Sequence, residues 1–481
     1  MAKVKKGIRN YERKALSALN WQHCICLIFA IGLLFNYSSY AQNSKAIIKT
    51  GVDNDEILSG SKKDSKFSPN AFLIAGYFHH NKLIDREKGL RGMAESYLNV
   101  ADAADPQNYA LCEELGLSVI VSKGPHLTGN QWQKLSDGEI DEYIKKMVEN
   151  GGKSKAIIGY FICDEPSSLA FPALAKAVAA VKKYAPGKIA YINLYPNYAT
   201  LWQMDQVKSQ LGTKTYTEYL EKFVNEVKPQ IISYDNYMVQ FSKDLQNKAQ
   251  SAKYYTNLME VYRVALKYNI PFFNIVSSNQ IRHYTTIPSP QNLAFQAYTS
   301  LAAGVGGIIW YTYHGQAYDY NPLDTNEKRT LIWQYLKEVN RQVSILGPII
   351  KKLKSTGVYF SDATIDPSLP LLPGQHLQSV DSEEPLMVGE FISEKGTKYI
   401  MVVNLSLEKS ARFVLHTKIP DERLFVVSVG EDVPYLSEIL NHKNLKGSMR
   451  GNSMEQIEMS KQNASWLPAG QGVLIKCGGS N

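Results

Sequence analysis

The chain predicts an α/β fold, a closed (β/α)8 TIM barrel followed by a small antiparallel β-sandwich. Three observations predict it. Strand-like and helix-like segments alternate from residue 69 to about 350. Eight strand-then-helix units fit this stretch of about 280 residues, the count and size of a closed eightfold barrel. From about Gly357 the helical periodicity fades, and short strands separated by turn formers follow. A doubly wound open sheet is the rival reading, but it carries a glycine-rich phosphate turn after its first strand. Here that position reads His79-His80-Asn81.

The strands are expected at 72–78, 96–101, 117–121, 156–164, 189–195, 231–237, 272–276 and 307–313. The fourth is the most informative. Ala156 to Cys163 is nearly all apolar, as for a parallel strand covered on both faces, and it ends abruptly in Asp164-Glu165-Pro166. Pro166 has no N–H to continue a ladder. Between strands, apolar residues recur at spacings of three and four, as in Tyr219, Leu220, Phe223, Val224 and Val227. The segments 173–184, 258–268 and 293–303 behave alike. In the C-terminal part, strands are expected at 398–403, 411–415, 424–427 and 472–475, in a module whose default role is structural.

The start of the chain predicts secretion. Six basic residues between Lys3 and Lys14 precede an apolar run from Cys24 to Phe35, and Ser39-Tyr40-Ala41 supplies a small-x-small cleavage pattern. A dozen apolar residues fall short of the ~20 that span a bilayer. Residues 1–41 therefore read as a signal peptide, 42–68 as a polar tether, 69–350 as the barrel and 351–481 as the sandwich. A periplasmic or extracellular location follows, with no membrane span after cleavage. The six basic residues less Glu12 carry +5 of the net +8, leaving about +3 on the mature chain, which gives no nucleic-acid surface. Cys112, Cys163 and Cys477 are odd in number and far apart, so a disulfide framework is not expected.

A glutamate leaving the C-terminal end of a parallel barrel strand stands where such barrels build their active sites. Paired carboxyl groups at such a rim suit general acid/base work, of which glycosidic cleavage is one case: it passes through an oxocarbenium-like state in which one carboxyl group protonates the leaving oxygen and a second stabilises the cation or activates water. Glu165 is the expected acid and Asp235, at the end of strand six, the expected partner. Because adjacent strand residues face opposite ways, Asp164 and Glu165 are not both expected to enter the site; Asp164 is kept among the substrate-binding candidates. Other polar and aromatic groups converge on the same rim: His79, Asn193, Tyr195, Tyr237, Tyr311, Tyr313 and His314. Sugars present hydroxyls at their edges and C–H patches on their faces, so such side chains suit them. The excess of tyrosine over phenylalanine, 30 to 16, fits that habit.

With Asp164-Glu165-Pro166 at the end of strand four, the chain resembles the clan of retaining β-glycosidases built on (β/α)8 barrels. It is most similar to the β-galactosidase-like branch with an all-β tail, which the ending 467–474, Leu-Pro-Ala-Gly-Gln-Gly-Val-Leu, also resembles. The resemblance implies that Glu165 is the proton donor and that Trp310 forms an aromatic wall near the reacting sugar. The chain departs from the clan at strand seven, which carries a nucleophilic glutamate there and here runs into Val276-Ser277-Ser278-Asn279-Gln280. Either the strand count is off by one, a different second carboxylate is used, or catalysis has been lost.

Other chemistries are not encoded. No His-x-His pair with a third ligand marks a metal centre, no Gly-x-Ser-x-Gly elbow marks a serine hydrolase, and neither a P-loop nor a dinucleotide fingerprint is present. The expectation is a cofactor-free, metal-free secreted glycoside hydrolase acting on a carbohydrate, with a non-catalytic glycan-binding barrel as the alternative.

Overall fold

The computed structural model describes residues 67–478, except for 78–85, 103–104, 123–126, 201–209, 242–247, 315–317, 421, 431–433 and 440–463. The segment expected to be a signal peptide and nearly all of the expected tether lie outside the described residues, as does His79.

Eight parallel strands close into a barrel in sequence order. They are β1 (Leu73–Gly76), β2 (Val100–Asp102), β3 (Ser118–Val121), β4 (Ile157–Asp164), β5 (Ile189–Leu194), β6 (Ile232–Asp235), β7 (Phe272–Ser277) and β8 (Gly307–Tyr311). Closure is made by β1 against β8, from Leu73 beside Gly307 to Gly76 beside Trp310. Helices follow the strands: α1 (Arg86–Glu95), α2 (Tyr109–Leu115), α3 (Gly129–Trp132), α4 (Asp137–Gly151), α5 (Phe171–Tyr184), α6 (Tyr216–Lys222), α7 (Lys248–Tyr268), α8 (Pro290–Ala302) and α9 (Leu331–Lys351). Their starts are encoded locally. Ser136 and Glu139 form a reciprocal capping box at α4, and Ser289 caps α8 ahead of Pro290 in its first turn.

Strand alternation sorts side chains into two layers. Leu73, Ala75, Tyr77, Val100, Ile158, Phe161, Tyr191, Ile275 and Ile309 fill the barrel interior. Ile74, Tyr160, Ile162, Tyr234, Val276 and Trp310 face the helices. β4 breaks the alternation. Its pairing with β5 slips between Phe161 and Cys163, so Ile162 and Cys163 both join the outer layer. Such a bulge re-aims every residue after it.

The C-terminal part is a sandwich of a six-stranded antiparallel sheet and a three-stranded one. Leu377, Phe413 and Leu415 on the smaller sheet pack on Val388, Ile400, Val402 and Ile475 of the larger. The larger sheet's other face, with Met387, Phe391, Tyr399, Met401 and Leu474, joins the barrel's outer core. Helix α8 lies between the two, and every residue from Asn292 to Ala302 is buried. The approach is close enough to need glycine: a Cβ at Gly389 would stand 2.1 Å from the Ala302 carbonyl oxygen. Cys112, Cys163 and Cys477 are free thiols, all buried.

Candidate active site

The bulge in β4 decides the site. With Cys163 turned outward, Asp164 points into the barrel mouth, where its Oδ1 accepts from Tyr77 Oη at 2.8 Å and from Asn193 Nδ2 at 3.0 Å. The backbone then turns sharply: Glu165 has φ 42°, in the left-handed region that side chains other than glycine seldom adopt. Its N–H is held by the Asn193 carbonyl at 2.9 Å. This turn brings the Glu165 carboxyl within hydrogen-bond reach of Asp235 on β6. Both residues of the Asp164-Glu165 pair therefore enter the site, which corrects the expectation from simple alternation.

Asn193 ties the acids together. Its single amide nitrogen donates to Asp164 and, at 2.9 Å, to Asp235 Oδ1. A carboxylate accepting such bonds is favoured in its charged form. Beneath it, Tyr191 Oη and Ser233 Oγ lie 2.8 Å apart inside the barrel.

Burial pushes the Glu165 carboxyl far above the ordinary range, and the charges of Asp235 and then Asp164 push it further. Burial and then the charge of Asp164 also raise Asp235, but the Asn193 and Glu165 hydrogen bonds pull it back. Two carboxyl groups in contact cannot both ionise at neutral pH, so the pair holds one proton. The opposing effects assign that proton to Glu165. Among the described residues, Asp164 is the other carboxylate whose charge bears on the pair.

Aromatic rings close the mouth. Tyr311 on β8 packs on Tyr237 (centroids 5.2 Å apart) and on Tyr77 (5.5 Å), and its hydroxyl meets that of Tyr318 at 2.8 Å. Tyr195 is half-buried, close enough to feel the charges of Glu165 and Asp164. Tyr198, which feels Asp235 and Glu165, reaches the Tyr237 backbone. It opens on a cavity of about 300 Å³ that Asn197, Tyr216 and Glu260 also line.

Two of the sequence candidates stand in the outer layer instead. Trp310 is fully buried on the outer side of β8, and its Nε1 donates to Asn340 Oδ1 of α9 at 2.7 Å, so it forms no wall of the mouth. The reason is alternation: Ile309 and Tyr311 face inward and Trp310 between them faces out. Tyr313 also lies in the outer layer and accepts from Trp333 Nε1 at 3.1 Å. His314 is buried in the loop after β8, bridged to Leu323. Sequence reasoning missed Tyr77, although its spacing of two from Ala75 and Leu73 carries the signal.

The end of β7 is committed to structure. Ser277 N–H donates to Gln296 Oε1 at 2.8 Å while Gln296 Nε2 donates back to the Ser277 carbonyl at 2.9 Å. Ser278 Oγ bonds the Thr312 carbonyl, and Asn279 Nδ2 the Thr312 hydroxyl.

No family model matches this sequence, and no curated protein does. Solved structures match it by fold. A catalytic mutant of a GH42 β-galactosidase from G. stearothermophilus aligns over 85% of this chain and 98% of its own, with a TM-score of 0.56 at 7% identity. That match is one of architecture, the closed (β/α)8 barrel with its C-terminal β-sheets. A β-galactosidase from Rahnella sp. R3 matches 59% of this chain and 57% of its own (TM-score 0.45, 11% identity). A β-glucuronidase from Ruminococcus gnavus matches 56% and 50% (TM-score 0.40, 11% identity). At such identities the likeness is one of fold, and the site must be argued from its own residues. No helix among the described residues is long and apolar enough to cross a membrane.

Proposed function

We propose that this chain is a secreted glycoside hydrolase, periplasmic or extracellular, in which Glu165 protonates the leaving oxygen of a glycosidic bond. One observation supports the reading: Glu165 and Asp235 stand together at the C-terminal end of the barrel strands, where burial and the charges of neighbouring carboxylates raise the Glu165 carboxyl above its ordinary range. A general acid must keep its proton near neutral pH until the leaving group needs it, and burial beside like charges keeps it there. Asp235 and Asp164 stay the more acidic partners, able to stabilise positive charge developing on the sugar. The tyrosines at the mouth offer ring faces and hydroxyls to a carbohydrate. Neither cofactor nor metal enters this scheme.

The test compares wild type with Glu165→Gln on aryl glycosides of both anomers and on natural oligosaccharides. Loss of general-acid catalysis lowers kcat/KM by about 10²–10⁴-fold. Equal sugar release from the two proteins excludes Glu165 as the donor. N-terminal sequencing of the exported protein tests secretion; a mature chain starting at Gln42 is expected.

A second reading, a glycan-binding barrel without turnover, has one observation in its favour: the polar end of β7 is bonded into the scaffold. Glycan binding with no sugar released, unchanged in Glu165→Gln, would support it.

A further inference from the structure

The loops beyond β5 and β6 border a second space. A cavity of about 300 Å³ lies among the turn at Asn197, the start of α6 and one face of α7. That is the lower end of the size range of small-molecule sites. Its walls are polar, with Asn197, Lys214, Tyr216, Lys253, Thr256 and Glu260 among the lining residues. Lys253, Thr256 and Glu260 recur at helical spacing, which sets them on one side of α7.

Hydrogen bonds tie these walls to the residues that adjoin Asp235 and Glu165. Asn257 Oδ1 accepts from the Asn197 N–H at 2.9 Å and from Asn236 Nδ2 at 2.8 Å, and Asn236 directly follows Asp235. The Tyr216 ring stacks on Tyr219 with centroids 6.0 Å apart. Tyr219 Oη in turn donates at 2.7 Å to the carbonyl of Pro166, which directly follows Glu165. The cavity therefore stands next to the β4–β6 side of the mouth.

Its chemistry suits an anion carried among hydroxyl groups. The Glu260 carboxylate is already answered: Asn197 Nδ2 donates to it at 3.1 Å, and Arg263 lies close enough to favour its charge. Lys214, by contrast, is exposed and makes no ion pair among the described residues. With Lys253 it lends the cavity positive charge. Tyr216 is 3% exposed, and its hydroxyl lies beside Asn257 short of a hydrogen bond of normal geometry. A buried hydroxyl so placed costs free energy that a ligand's oxygen would recover.

Resting on the glycosidase reading above for the bond that is cut, we propose that this cavity binds an acidic sugar unit of the substrate. The unit lies next along the chain from the sugar at Glu165. Its anionic group sits on Lys214 and Lys253, and its hydroxyls bond Asn197, Thr256 and Tyr216. The substrate class is then an acidic oligosaccharide, carboxylated or sulfated.

Isothermal titration calorimetry on the full mature chain carrying Glu165→Gln tests this, since binding is read without turnover. The probes are tetrasaccharides built on galacturonic or glucuronic acid, the same chains with their carboxyls reduced to hydroxymethyl groups, and sulfated galactose tetrasaccharides beside unsulfated ones. At low salt an acidic chain should bind about 10-fold tighter than its neutral counterpart, and the ratio should shrink as salt rises. Whichever acid is preferred names the anionic group. Adding Lys214→Gln should cut the ratio to about 3-fold or less. Adding Thr256→Trp, which fills the cavity, should abolish it. Lys146→Gln, on α4, should leave it unchanged. All variants are checked for folding by circular dichroism. Equal binding of acidic and neutral chains, or none, overturns the inference, as does a preference that survives both Lys214→Gln and Thr256→Trp. Either result leaves the glycosidase reading to its own assay of sugar release. Acidic chains held through Lys214, with no glycoside cut by the wild type, would keep the binding site and remove the glycosidase reading.

Discussion

Replacing Glu165 with glutamine should stabilise the protein, by an amount that grows with pH. In the native state burial and two neighbouring carboxylates hold this proton well above the ordinary carboxyl range. In the unfolded chain a glutamate ionises near pH 4.3. The native state thus binds one proton more than the unfolded state over the interval between those values, and stability falls as pH rises. The group's favourable contribution is fully present below pH 4.3 and is lost as pH climbs toward the folded value. The slope for one proton is about 1.4 kcal/mol per pH unit. Two unit charges 4 Å apart in surroundings of effective dielectric 20 repel by about 4 kcal/mol, which bounds the total. The opening of the mouth to solvent reduces this, so a gain of about 2–3 kcal/mol at pH 7 to 8 is expected. Glutamine imitates the neutral acid, carries no proton to lose, and leaves the other titrations nearly common to both proteins. Urea unfolding of both proteins at half-unit steps from pH 4.5 to 8.5 measures the difference directly, with no substrate needed. A stability difference that stays flat across this range would refute the shared-proton argument.

Further consequences follow from the same geometry. Asp235→Asn removes a like charge beside Glu165, so the basic limb of the pH–kcat/KM profile should move at least one unit toward acid. The substrate is whichever glycoside proves active, and an unmoved limb would mean that Asp235 does not act on Glu165. Trp310→Phe leaves Asn340 Oδ1 without its donor and should cost about 1–3 kcal/mol in denaturant unfolding, with KM unchanged because the ring faces α9. Gly389→Ala puts a methyl 2.1 Å from the Ala302 carbonyl oxygen, where both groups are backbone-fixed. A loss of about 1–3 kcal/mol or more is expected, and an unchanged Tm would show that α8 and the larger sheet separate easily.

The barrel was legible because its strands are short, mostly apolar, buried along nearly their whole length and followed by helices. In β3 and β7 the burial pattern is unbroken, as apolar runs in a parallel sheet require. The sandwich was less so. The strand Leu386–Ile392 is not predicted because its sequence, Leu-Met-Val-Gly-Glu-Phe-Ile, has no clean alternation. Both faces are buried, one in the sandwich and one against α8, and Glu390 is 1% exposed because it accepts the N–H groups of Gln375, His376 and Leu377. Periodicity reports faces exposed to water, and this strand has none. At the site, Glu165, Asp235 and Asn193 were legible as polar residues ending apolar strands. The roles of Asp164 and Trp310 were not, since each depends on which way one residue faces.

That dependence has a physical cause in β4. The strand makes eight residues fit neighbours of four and six, and it slips once against β3 and once against β5. Strict alternation from Phe161 would turn Cys163 inward and Asp164 outward. The second slip instead turns a small apolar thiol to the helices and a carboxylate to the mouth. Two scaffold bonds then hold the next turn: Tyr219 Oη donates to the Pro166 carbonyl at 2.7 Å, and Ser168 N–H to Leu211 O at 2.8 Å. A left-handed backbone at Glu165 costs on the order of 1–3 kcal/mol and persists only where surrounding bonds over-determine it. Here they do, and the cost is tied to a specific result, since the turn sets Glu165 against Asp235 while Asp164 stays on Asn193. Bulge and turn together gather three carboxyl groups where regular strands would deliver two, and burial, with the crowding of those charges added to it, favours the protonated form of Glu165.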